Sequence, residues 1–284
     1  MRVLSQEEQQ FWEENGYVIL RQAVPPENVK AVVDVIWEFM EMDRDNPETW
    51  YRPPERENGM KELNKAGMVE LYHHQVLWNN RQHPRIHGAF ADIWGTEKLW
   101  VTIDRVNLNP PARPDWDFQG FVHWDIDTSL RPVPFEVQGV LSLVDTAVEQ
   151  GGLQVVPGFH RIFEEWVKTQ PADRDPWKPD LSGLKLIPVE TKAGDLVIWH
   201  SLIPHGTRRN NSNRPRLAQY ISMFPASETH ETMREERITS WRERLPRQGL
   251  AFPGDPRNWE VIHGTTAQLS PLGKKLLGLD RWGA

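Results

Sequence analysis

The spacing of apolar and polar positions divides the chain into three parts. Up to about residue 97 the apolar residues recur mostly at helical spacing. Ser5, followed three residues later by Glu8, makes a capping box for a first helix, and Gly16 is its stop. A short apolar run, Tyr17 to Leu20, predicts a strand. Pro25-Pro26 then opens a second helix, with Val29, Val32, Val33, Ile36, Trp37 and Met40 on one stripe. Residues 44–60 are polar and proline-rich and predict a loop. Two further helical stretches are expected from about Met68 to Asn80 and from Pro84 to Trp94.

From Leu99 the pattern changes. Leu99–Leu108, Phe135–Val144, Leu153–Val156, Asp195–His200 and Leu217–Met223 are short, apolar and rich in β-branched or aromatic residues. Asn109-Pro110-Pro111, Gly151-Gly152, Pro157-Gly158 and Asn210–Asn213 separate them. Short strands at such spacing predict a sandwich or small barrel rather than alternating β-α-β units. After Glu228 the pattern is helical again and then irregular. With no internal repeat and no evident linker, one domain is expected over residues 1–284. It has a helical part (1–97), a β core (about 98–225) and a C-terminal helical extension (226–284).

Composition narrows the chemistry. The 33 basic and 40 acidic residues give a net charge of −7, and no basic stripe suits a nucleic-acid partner. The chain has no cysteine, which excludes disulfides, thiolate nucleophiles, zinc ribbons and iron–sulfur clusters. Any metal must be held by His, Asp or Glu. The first residues lack the basic and apolar pattern of a signal peptide, and no run approaches the ~18 apolar residues of a membrane span. A cytoplasmic protein without a membrane partner is expected. Fourteen tryptophans supply material for a core and for pocket walls.

Phe121-Val122-His123-Trp124-Asp125 places an imidazole and a carboxylate two residues apart. In a strand, His123 and Asp125 share a face while Trp124 points away. With ten histidines in the chain, one H-x-D is no more than chance supplies. His205, beyond the strand ending near His200, offers a third ligand. Two His and one carboxylate on one face of an octahedron suit non-haem Fe(II) oxygenases, although zinc hydrolases use the same donors. The turn-rich Arg209-Asn210-Asn211-Ser212-Asn213 predicts a hairpin that sets Arg216 beside His205. A guanidinium there suits bidentate capture of a carboxylate.

These residues resemble the phytanoyl-CoA dioxygenase family of Fe(II)/2-oxoglutarate oxygenases, which has H-x-D, a distal His and an Arg shortly after it. The resemblance covers most of the chain. Phe11 to Leu20 is similar to the family's entry helix and strand. Gly151-Gly152-Leu153-Gln154-Val155-Val156-Pro157-Gly158-Phe159-His160-Arg161 is similar to its N-G-x-L-x-x-x-P-G-S-H-R segment, with Gln150-Gly151 for Asn-Gly and Phe159 for Ser. Ala193-Gly194-Asp195 also matches.

The resemblance implies a double-stranded β-helix (jelly-roll, cupin-like) core, with helices packed outside. It implies Fe(II), 2-oxoglutarate and O2 as cofactors and co-substrates, with His123, Asp125 and His205 as iron ligands. Arg216 and Thr207 would bind the distal carboxylate of 2-oxoglutarate, and the products would be succinate, CO2 and a hydroxylated small molecule. Asp125 stands where related halogenases have a small residue, which favours hydroxylation.

Other positions are read from the residues alone. Arg105 and Asn107 are candidates to point into the barrel beside the co-substrate, and Trp124, Trp116 and Arg131 to touch substrate. His160 is read as capping a helix near Arg161, and His200 as a packed histidine. His83 and His87 are i, i+4, but Pro84 lies between them and no acidic partner comes after. Two other readings use the same triad: a cupin-like isomerase or hydrolase without 2-oxoglutarate, and a non-catalytic metal- or ligand-binding barrel. Arg216 argues against both. The acidic net charge disfavours a highly anionic substrate such as an acyl-CoA.

Overall fold

The computed structural model describes residues 2–52, 67–246 and 253–283. The first helix, Gln6–Asn15, is closed by the Ser5/Glu8 capping box and by Gly16 in the left-handed conformation (φ 72°). The strand β1 (Tyr17–Leu20) comes next, then the helix Pro26–Phe39. The expected loop 44–60 contains a 3-10 turn at Pro47–Thr49, and its residues 53–60 lie outside the described part. The helix Pro84–Trp94 forms where its pattern predicts it.

The stretch from Met68 to Asn80 departs from expectation. Met68–Val69 is a short strand, β2, and the helix begins only at Gln75, running to Arg81. The cause is tertiary. Met68 and Val69 pair with Asn107 and Val106, and the N–H groups of Tyr72 and His73 each donate at 2.7 Å to the Glu260 carboxylate. Bonds supplied from elsewhere in the chain replace those of a helix.

The remaining strands are β3 (Leu99–Val101), β4 (Val106–Asn109), β5 (Val137–Ser142), β6 (Leu153–Val155), β7 (Ile187–Pro188), β8 (Leu196–His200), β9 (His205–Thr207), β10 (Arg216–Tyr220) and β11 (Met223–Pro225). They form a six-stranded sheet in the order β1-β8-β5-β10-β4-β2, a three-stranded sheet β7-β6-β9 and a pair β11-β3, with all pairings antiparallel. The fold is therefore mainly antiparallel β with flanking helices.

Two expected strands are each broken in two. Leu99–Leu108 splits into β3 and β4, and Leu217–Met223 into β10 and β11. Val101 faces Met223 and Val106 faces Gln219, so Thr102 to Arg105 on one side oppose Tyr220 to Ser222 on the other. The extra residue is a bulge, which kinks the ribbon and re-aims the side chains near it.

Period-2 alternation sorts the six-stranded sheet into two faces. Val18, Leu20, Leu196, Ile198, Leu141 and Leu217 pack outward against the helices. Tyr17, Val197, Trp199, Val140 and Ala218 point inward, toward β6 and β9. The C-terminal part is more regular than expected. After the helix Glu231–Glu243 come helices Trp259–His263 and Pro271–Leu277. The last is capped by Ser270 and buries Leu276 and Leu277 fully. No helix among the described residues is long and apolar enough to cross a membrane.

Candidate active site

The inner face of the six-stranded sheet and the β6–β9 strip enclose a cavity of about 590 Å³. Gln138, Val140, Trp199, Arg216 and Tyr220 line it from the sheet, and Leu153, His205 and Thr207 line it from the opposite side.

His123, Asp125 and His205 meet at its wall, with one ligating atom from each lying within 4.8 Å of the others. Among the described residues they are the one such group that could hold a metal ion. The expected strand at 121–125 is a single bridge. His123 N donates to His205 O at 2.9 Å, and His205 N donates back to His123 O at 3.2 Å. That bridge, rather than a ladder, brings the two rings to 4.7 Å between centroids. Gly206 makes the approach possible, since a Cβ there would lie 1.7 Å from the Phe121 carbonyl oxygen.

The Asp125 carboxylate sits between the two imidazoles. Oδ1 is 3.2 Å from His123 Nε2, and Oδ2 is 3.1 Å from His205 Nε2. Burial works against its charge, but the hydrogen bonds and charges of both histidines hold the carboxyl well below the usual carboxylate range. His205 Nδ1 lies 2.9 Å from Ile203 O, which turns Nε2 toward the site. A ring nitrogen anchored on backbone while the other faces two further donors is a common feature of metal-binding histidines. The donor set fits a divalent transition ion.

Arg216 reaches the same cavity by a route other than the expected hairpin. β9 and β10 do not pair: β9 joins β6, whereas β10 lies between β4 and β5 in the other sheet. The segment between them crosses from one sheet to the other, so His205 and Arg216 line opposite walls. Arg216 is 4% exposed, and its Nη1 donates to Asn107 Oδ1 at 2.9 Å. Among the described residues it has no carboxylate partner. Thr207 lines the cavity two residues past His205.

The other candidates divide. Arg105 lines the cavity and pairs with Glu70 at 3.2 Å, while Asn107 stands behind Arg216. Trp124, Trp116 and Arg131 are not brought to the cavity. Trp124 is 1% exposed, packs on Phe159, Phe163 and Trp166, and donates to Leu202 O. Trp116 is buried against Tyr51. Arg131 donates to the carbonyls of Thr128 and Leu130 over the Phe163 ring. His160 does not cap the helix Phe159–Lys168, whose cap is Gly158; its Nε2 lies 3.1 Å from Glu13 O, against the first helix. His200 packs against Phe135 and His160.

Two residues invisible to the motif reading act on the triad. Gln138 Nε2 donates to Asp125 Oδ2 at 2.6 Å, while its Oε1 accepts from Trp199 Nε1 at 3.0 Å. Gln138 and Trp199 are direct partners across β5 and β8. A polar residue in the apolar run Phe135–Val144 was the one available signal. Glu136 also lines the cavity, its carboxyl pushed up by burial and by the nearby Asp125 charge.

Two imidazoles and a carboxylate on the wall of an antiparallel β cavity, faced by a buried guanidinium with no carboxylate partner among the described residues, suit a non-haem iron oxygenase. The sequence model of the phytanoyl-CoA dioxygenase (PhyH) family matches residues 12–218, and the chain belongs to that family. It is a 2-oxoglutarate-dependent dioxygenase that uses Fe(II) and O2. It is 25% identical over 272 residues to a putative phytanoyl-CoA dioxygenase of Dictyostelium discoideum, covering 80% of this chain and 78% of the relative. It is 26% identical over 232 residues to the ectoine dioxygenase of Bordetella bronchiseptica, covering 75% and 73%. In fold it is similar to the epimerase SnoN solved with Fe3+, alpha-ketoglutarate and a nogalamycin compound. The TM-score there is 0.58 at 19% identity, over 78% of this chain and 84% of that one.

Proposed function

We propose that this protein hydroxylates a small organic substrate, with His123, Asp125 and His205 holding Fe(II) and Arg216 anchoring 2-oxoglutarate. We read the sheets as a double-stranded β-helix within one domain spanning the chain. Bound iron would supply the redox chemistry, coupling decarboxylation of 2-oxoglutarate to succinate and CO2 with oxygenation of a C–H bond.

The chain's own part is positional. Burial strips water from Arg216, and Asn107 orients its guanidinium, so a dicarboxylate extending from the triad wall would meet a ready charge partner. Thr207 would offer a hydroxyl beside the co-substrate. The acid-shifted Asp125 stays anionic at neutral pH and keeps its charge for the metal. The observation that carries this reading is the sharing of one cavity by the triad and a buried Arg216 that has no carboxylate partner among the described residues. A hydrolase or isomerase using the triad alone leaves that buried cation unexplained.

The test is direct. Anaerobic protein with Fe(II) and 2-oxoglutarate should develop a visible metal-to-ligand charge-transfer band, and admission of air should yield succinate. Asp125→Ala should abolish succinate formation. Arg216→Ala should raise the KM for 2-oxoglutarate by roughly tenfold to a hundredfold, the worth of a charge-assisted bond of about 1.5–3 kcal/mol. Absence of both band and succinate in the wild type would sink the proposal, and an unchanged KM in Arg216→Ala would sink the anchor.

A further inference from the structure

Glu136 stands just before β5, beside Asp125 on the cavity wall. Its backbone is pinned on both sides by Ser201: Glu136 N donates to Ser201 Oγ at 3.0 Å, and Ser201 N donates to Glu136 O at 2.9 Å. The side chain, by contrast, has no hydrogen bond or ion pair among the described residues. An exposed carboxylate that faces a cavity and has no partner among the described residues has charge left to offer a ligand.

The charges around it point the same way. Asp104, Asp125 and Glu136 line the cavity, and Glu70 lies directly behind Arg105. The cationic side chains on the wall are Arg105 and Arg216. Arg105 is already shared between Glu70 and Asp104. In the reading above, Arg216 serves the co-substrate, and the charges of a divalent metal and a dicarboxylate cancel. Among the described residues the loaded cavity is then left with an excess of negative charge, and an anionic substrate would find no uncommitted cation there. Phe118 and Phe121 line the same cavity, with rings edge to face at 6.2 Å and Phe121 53% exposed. Aromatic faces and a carboxylate on the walls of one cavity are groups that receive an organic cation.

We infer that the substrate of this enzyme carries a cationic nitrogen, an alkylammonium or amidinium group, and that Glu136 is the residue that selects it. This rests on the proposed iron and 2-oxoglutarate site, because the charge excess assumes both are bound.

Four probes of one skeleton test it: benzylamine, benzyltrimethylammonium, benzyl alcohol and phenylacetate. Each is titrated into the anaerobic Fe(II)–2-oxoglutarate enzyme, with calorimetry and perturbation of the charge-transfer band as readouts. The two cations should bind at least about tenfold more tightly than the alcohol or the carboxylate, the scale of one partly desolvated charge pair. Glu136→Gln should remove that preference, and Glu136→Lys should turn it toward phenylacetate. The inference falls if the cations do not bind, if the neutral or anionic probe binds as well, or if Glu136→Gln leaves cation affinity unchanged. A wild type that gives no band indicts the iron and 2-oxoglutarate reading. A band with no discrimination by charge indicts this inference alone.

Discussion

Replacing Gln138 with leucine tests whether the proposed metal site is set by more than its three candidate ligands. Gln138 is oriented from behind: Trp199 Nε1 donates to its Oε1 at 3.0 Å, which leaves Nε2 to donate to Asp125 Oδ2 at 2.6 Å. Trp199 is 3% exposed and faces Gln138 directly across the sheet, so this orientation is built into the β5–β8 register. Leucine keeps the bulk and removes both bonds. A bond to a charged acceptor is worth about 1.5–3 kcal/mol, and loss of a group that orients a metal ligand typically costs 10–100-fold in affinity. Gln138→Leu should therefore weaken Mn(II) or Fe(II) binding by roughly one to two orders of magnitude, about 1.4–2.7 kcal/mol. Titration of Mn(II) followed by electron paramagnetic resonance measures this directly. A metal-free thermal melt should show a separate loss of about 1–3 kcal/mol from the orphaned indole N–H. The reasoning is refuted if the metal-free melt shifts while metal affinity stays at the wild-type value, because Gln138 would then be a packing residue only.

Other outcomes rest on the same geometry. Gly206→Ala places a Cβ on the Phe121 carbonyl oxygen, so it should pry β9 from the 121–123 strip. Metal binding measured by calorimetry should then be lost even though no ligand is changed. His73 and Glu260 give opposed pH dependences. Burial, aided by Arg81, pushes His73 down to about 3, so its unfolded form binds more protons and stability is lost as pH falls below about 6.5. Burial pushes Glu260 up to about 7, so its folded form binds more protons and stability is lost as pH rises from about 4.5 through 7. Between pH 4.5 and 6.5 the two slopes oppose each other, each of up to about 1.4 kcal/mol per pH unit. His73→Gln should leave a stability that declines across this window as pH rises, and Glu260→Gln one that climbs; denaturant midpoints measured at several pH values would expose either sign as wrong.

Local signals carried most of the fold. The Ser5/Glu8 box, Gly16 and the β8 pattern are short-range chemistry, and each element formed where its residues predict it. The failures are places where distant groups took over the backbone. Residues 70–73 stay out of the helix because Glu260, nearly two hundred positions away, takes the N–H groups of Tyr72 and His73. The long strands break because a bulge must turn the ribbon from one sheet into another, and no residue type at Thr102 to Arg105 announces it. The same limit applies at the site. The grouping of His123, Asp125 and His205 was legible because a candidate metal site calls for particular residue types. Gln138 was not, because a hydrogen bond to a carboxylate can come from many side chains and only register reveals which one is opposite. The hairpin argument placed Arg216 at the triad's cavity with the wrong pairing. The turn residues encode a reversal of the chain, and which sheet the returning strand joins is decided by β4 and β5.

The family match ends at residue 218, yet the cavity wall that carries Arg105 is braced by residues beyond that point. Arg105 is held by Glu70, and Glu70 in turn accepts from Gly254 N at 3.2 Å and from the Tyr72 hydroxyl. Glu260 fixes the backbone at Tyr72 and His73. Arg244 adds a bond to Thr266 at 2.9 Å, and Arg237 donates both to Val101 O and to the carbonyls of Leu276 and Leu277. None of these groups touches the triad, whose neighbours include Gln138 on β5, Trp199 on β8, Ile203 and Phe121. Two stretches of the cavity wall are thus supported by different parts of the chain. The stretch bearing the triad is built within the matched segment. The stretch bearing Asp104 and Arg105 is braced by Gly254 and Glu260 of the C-terminal extension, which lies outside the family match.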